Sequence, residues 1–152
     1  MSIVMEPVRR RTSVVALSIC LAASSSAAAV GATAEGASAQ QVAPKRLEAR
    51  LTGSGDPDGS GEAKFRLNKA QHTICATVEW HKIQKPNAAH IHRRSDGGVV
   101  VDLTGSVTGG PRCATKVSSN LIGKILAHPG RYYFNVHNKT YPSGAIQGTL
   151  HR

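Results

Sequence analysis

What most constrains this chain is a two-residue alternation of apolar and polar side chains that recurs in several short segments. In residues 45–51, Leu47, Ala49 and Leu51 share one face, and Arg46, Glu48 and Arg50 share the other. Residues 62–67 repeat the pattern with Ala63, Phe65 and Leu67. Residues 72–80 place Ile74, Ala76, Val78 and Trp80 opposite Thr73, Cys75, Thr77 and Glu79. Residues 132–137 place Tyr132, Phe134 and Val136 opposite Tyr133, Asn135 and His137. A strand turns successive side chains to opposite faces, so each segment reads as a strand with one face in a core.

Turn chemistry separates these segments. TGSGDPDGSG at 52–61 and NKAQ at 68–71 are turns rich in the residues that favour them. Asp56 and Asp58 lack the later acidic ligands of a calcium loop. RRSDGG at 93–98 joins residues 88–92 to the apolar run 99–103 as a hairpin. Residues 104–112 read as a Gly-rich loop. Residues 118–128 predict one short helix, with Ser118 as cap, apolar Leu121, Ile122, Ile125 and Leu126, and a Pro129-Gly130 stop. A last strand spans 144–150, with Ile146, Gly148 and Leu150 inward. Seven short strands and one small helix specify an all-β fold, an antiparallel β-sandwich or Greek-key barrel.

The first 39 residues read differently. Arg9-Arg10-Arg11 precede an apolar stretch from Val14 to Ala23, and A-x-A sites follow at Ala32-Thr33-Ala34 and Ala37-Ser38-Ala39. This is the order of a secretory signal peptide, with cleavage expected after Ala39. The apolar core is short for a membrane span, so no transmembrane segment is expected after cleavage. The single domain is residues 40–152, and its expected location is secreted, extracellular or in the cell envelope.

That domain keeps 16 Lys and Arg (19 less Arg9, Arg10 and Arg11) against 7 Asp and Glu (9 less Glu6 and Glu35). Such a balance attracts anionic surfaces. The charges are dispersed and aromatic residues are few, which argues against nucleic acid. The expected partner is an extracellular protein or an anionic cell-surface polymer. Two cysteines remain, Cys75 and Cys113, and an even count in an exported chain predicts a disulfide.

Chemistry concentrates in Ala88-Ala89-His90-Ile91-His92. On a strand, His90 and His92 share one face while Ile91 enters the core. His137 ends a second strand and shares a face with Tyr133 and Asn135. Three imidazoles suit Cu(II), Zn(II) or Ni(II). Both methionines precede residue 40, which leaves no thioether for a Cu(I) site. Tyr133 and Asn135 are candidate hydrogen-bond partners behind the ligands. Two other roles stay open: histidines that only hold turns in a sheet, and a site for a ligand other than a metal. His72, His81, His128 and His151 fall in turns, strand ends and the C-terminus and read as solvated.

Together, A-H-I-H at 89–92 and the later stretch YYFNVHN at 132–138 with PSGAIQGTL at 142–150 resemble the chordin-type (CHRD) domain of bacterial exported proteins. The resemblance runs over residues 45–150. The chain departs from the pattern at Arg93-Arg94 and at Ala145. The resemblance implies an immunoglobulin-like β-barrel with a distant likeness to copper-zinc superoxide dismutase, and no settled activity. Between Leu103 and Tyr132 the chain has one histidine, His128, and no Asp or Glu, which argues against a binuclear dismutase site. No G-x-S-x-G and no phosphate-binding loop is present. The preferred expectation is therefore a secreted binding module without catalysis of its own. The alternative is a copper or zinc protein using His90, His92 and His137, and behind it a dismutase-like enzyme on the same residues.

Overall fold

A computed structural model describes residues 43–152. The expected signal peptide lies outside the described residues.

The alternating segments form the strands β1 (Lys45–Gly53), β2 (Ser60–Asn68) and β3 (Thr73–His81), a continuous meander. β4 (Ala88–Arg93) and β5 (Val99–Asp102) form the expected hairpin. A helical turn, α1 (Gly105–Thr108), leads to the two-residue β6 (Cys113–Ala114). Helix α2 (Ser119–Ala127) and a 3-10 turn at Pro129–Arg131 precede β7 (Tyr132–His137) and β8 (Ile146–Thr149). All pairings are antiparallel, in the order β5-β4-β7-β8-β1-β2-β3-β6.

This single sheet curls around one core. Phe65 on β2 and Phe134 on β7 are separated by two intervening strands, yet their rings meet edge to face at 5.1 Å. Such a contact needs the sheet to fold over on itself, and adds about 0.5–1.5 kcal/mol beyond area burial. Leu47, Leu67, Ile74, Ile91, Ile122 and Ile125 belong to the same cluster. The result is a nearly closed antiparallel barrel with edges at β5 and β6. Helical turn α1 packs on both β3 and β4, with Val107 buried, and so lies between the two edges.

Sequence and structure differ in detail. There are eight strands rather than seven, because Cys113 pairs directly opposite Cys75 and makes β6. The Gly-rich stretch 104–112 contains α1, which the composition concealed. Ser118 takes the N-cap position of α2, but its hydroxyl makes no cap bond. The Pro129-Gly130 stop becomes a turn of 3-10 helix. Among the described residues, no helix is long and apolar enough to cross a membrane.

Candidate metal centre

The site lies on the outer face of the β4–β7 pair. Ile91 is fully buried in the core, so its neighbours His90 and His92 point outward. Register places Asn135 opposite His90, Tyr133 opposite His92, and His137 opposite Ala88. Asp102 on β5 faces His90 from the other side.

An outward face is normally wet, yet His92 is 7% exposed and His137 9%. Two loops cover them, and each holds one imidazole. His92 Nδ1 donates to the carbonyl of Gly97, 2.9 Å away in the 93–98 turn. His137 Nδ1 donates to the carbonyl of Pro142, also at 2.9 Å, in the 138–144 loop. A carbonyl only accepts, so both rings carry a proton on Nδ1, and in the neutral form of either ring Nε2 is an acceptor. His90 Nδ1 lies 3.2 Å from His137 Nε2, and its own Nε2 lies 3.8 Å from Asp102 Oδ1.

One ring nitrogen from each of His90, His92 and His137 falls within 4.8 Å of the others. His92 Nε2 is buried and has no hydrogen-bond partner among the described residues. A buried orphan acceptor costs about 1–3 kcal/mol unless something satisfies it. A cation bound between the three rings does so, and this donor set therefore fits a metal.

Electrostatics point the same way. Burial lowers the His90 pKa from its ordinary 6.5, and His137 and His92 add to the effect while Asp102 opposes it. Burial also lowers the His137 pKa; the Pro142 carbonyl opposes and His92 assists. Both shifts favour the neutral, metal-binding form of the ring. The Asp102 pKa is lowered chiefly by hydrogen bonds from the Thr104 amide and hydroxyl, less by His90.

The other candidates take different places. Tyr133 stacks on His92 at 4.9 Å and 13° and donates no bond to it. Asn135 Nδ2 donates to the Ser143 carbonyl rather than to a histidine. The groups that hold the rings are Gly97 O and Pro142 O, with Asp102 nearby. Backbone carbonyls leave no trace in a sequence. Asp102 did leave one, as the only charge in the apolar run 99–103. His72 contacts the Val117 carbonyl, and His151 the Arg152 carbonyl, both exposed. His81 and His128 are exposed as expected.

The later motif has a local explanation. Asn138 is fully buried; its Oδ1 accepts from the Tyr141 amide at 2.8 Å and closes the loop that carries Pro142. Gly144 sits at φ 132°, and a Cβ there would lie 2.3 Å from Asn135 Oδ1. Only glycine fits that conformation and that contact.

Cys75 and Cys113 form a disulfide across β3 and β6. A family model described as the CHRD domain matches residues 31–150. No curated protein and no solved structure gives a significant match.

Proposed function

The chain belongs to the CHRD domain family, and on that premise we propose that it is an exported β-barrel module that binds Cu(II) or Zn(II) through His90, His92 and His137. The observation that carries this reading is the buried, unpartnered His92 Nε2 facing two further imidazoles. Hydrogen bonds to Gly97 O and Pro142 O support it, because they set the ring tautomers in which Nε2 is left to accept. His90 supplies Nδ1, and its Nε2–H then faces Asp102.

A bound Cu(II) or Zn(II) would supply a Lewis-acid centre there. The protein's own residues orient the rings, favour the neutral form of His90 and His137, and shield His92 and His137 from water. Tyr133 fixes the plane of the His92 ring by stacking. No acidic side chain follows Asp102 in the sequence. This favours a single metal over a binuclear centre.

Export is supported by the disulfide, which persists in oxidising compartments, and by the leader-like order of residues 1–39. The test is calorimetric titration of the tag-free protein with Cu(II) and with Zn(II), beside a His90→Ala/His137→Ala variant. One equivalent bound, and lost in the variant, supports the proposal. Equal binding by both proteins removes it and leaves the histidines as holders of the two loops.

A further inference from the structure

One cavity lies away from His90, His92 and His137, at the end of the barrel where β4 ends, β7 begins and α2 packs. It has a volume of about 760 Å³ and is lined by Arg93, Arg94, Lys124, His128 and Arg131 around Tyr132. No carboxylate lines it. All five basic side chains are exposed. The one acidic neighbour in the adjoining turn, Asp96, is paired with Arg93. That pair leaves Arg94, Lys124 and Arg131 with no carboxylate partner among the described residues.

The arrangement is held in place. The Arg94 amide donates to the Arg131 carbonyl at 2.9 Å, which ties the end of β4 to the 3-10 turn. Arg94 Nη1 donates to Thr149 Oγ1 at 2.6 Å, which anchors one edge of its guanidinium and leaves further N–H groups for a ligand. Lys124 and His128 close the α2 side, where the Lys124 cation also complements the helix C-terminus. Dipole complementarity explains Lys124 and does not explain Arg94 or Arg131. Arg94, Lys124 and Arg131, gathered around a concave site without carboxylate partners, are unfavourable alone and favourable around an anion. Arginine forks match the planar or tetrahedral oxyanions of carboxylate, sulfate and phosphate groups.

We propose that this basic cleft binds the oxyanion groups of an anionic polysaccharide, with Arg94, Arg131 and Lys124 as the contacting cations. Volume fits one or two sugar rings rather than a duplex groove. Tyr132, the one Phe, Tyr or Trp among its lining residues, is 6% exposed, which leaves a nucleic-acid base little ring face to stack on there. The site is separate from the three histidines and needs no metal.

The test is titration of the whole protein with heparin, a sulfated glycan, at 150 mM NaCl, with neutral dextran and an oligothymidylate as comparisons. Saturable heparin binding is expected. Lys124→Gln/Arg131→Gln should weaken it at least tenfold. Arg46→Gln/Arg66→Gln removes the same charge from a register pair on the β1–β2 surface and should weaken it less than threefold. Lys124→Glu alone, at an exposed helix position, should also weaken it. Thermal midpoints within a few degrees of the parent confirm that the variants fold. Equal losses in both double variants, or no saturable binding, overturn the proposal. Oligothymidylate binding as tight as heparin, with the same loss, overturns the polysaccharide as ligand.

Discussion

His137 Nδ1 lies 2.9 Å from the carbonyl oxygen of Pro142, five residues further along the chain. This hydrogen bond links the end of β7 to the loop that covers it, and it leaves Nε2 of the ring turned to the other two histidines. The sequence around His137 does two jobs at once. It closes a loop, and it turns a bare Nε2 toward His90 and His92.

The ligand assignment predicts a graded series. His92→Ala and His137→Ala should each weaken Cu(II) binding by about a hundredfold or more, since each deletes a buried nitrogen whose orientation is fixed. Asp102→Asn should weaken it by about tenfold or less. Asp102 faces His90 Nε2 at 3.8 Å and is well exposed, so its influence is at the low end for a group behind a ligand. Competition against a chelator of known affinity measures all three. Equal effects from His92→Ala and Asp102→Asn would contradict the assignment.

Stability of the metal-free protein should fall in mild acid. His90 and His137 have folded-state pKa values below 6.5, so the unfolded chain takes up protons before the folded one does. The contribution is fully present above the unfolded value. It is lost as pH falls from about 6.5 toward the folded values. Urea unfolding at pH 7.5 and pH 5.5 reads the difference. A His90→Gln/His137→Gln variant should flatten the pH dependence in that window. Saturating Zn(II) at pH 7.5 should raise the midpoint, since the three imidazoles converge only in the folded state.

Gly144→Ala should destabilise by about 1–3 kcal/mol, from a left-handed backbone and a clash with the Asn135 amide. It should also weaken metal binding, because the same loop carries the Pro142 carbonyl. Gly130→Ala provides the comparison: a Cβ there meets nothing within 4 Å. Its urea midpoint should stay close to that of the parent. A Gly144→Ala protein with parental stability and parental metal affinity would show that the loop tolerates the residue and that the motif has another origin.

Reducing the Cys75–Cys113 bond should cost on the order of 3–4 kcal/mol, from the chain entropy regained by a loop of sequence separation 38. Urea unfolding with and without reductant measures it. The proposed metal site should survive reduction under native conditions, because β3 and β6 carry none of the three histidines.

The fold was legible because alternation is a direct image of a half-buried sheet. Leu47, Ala49, Leu51, Ala63, Phe65, Leu67, Ile74 and Ala76 are all buried, as their spacing required. Trp80, at the far end of the same stripe, is only partly buried, because it packs on the margin of the core. Turn α1 was hidden: four residues of Gly, Ser, Val and Thr carry no helical period, and its position depends on tertiary contact with β3 and β4. At the site, spacing gave the shared face of His90 and His92, and strand pairing brought His137 to them. Spacing could not give the roles of Tyr133 and Asn135. A stacked ring and an amide turned to the Ser143 carbonyl depend on how two loops fold back. The basic cleft was not legible either, since Arg93 and Arg94 meet Lys124 and Arg131 only in three dimensions.

The most direct test of the account is the electron paramagnetic resonance spectrum of the protein with one equivalent of Cu(II). The account predicts a single species with nitrogen hyperfine coupling from three imidazoles, and loss of that species in His92→Ala. A spectrum of weakly bound, heterogeneous copper, or one unchanged by His92→Ala, would contradict the three-histidine centre.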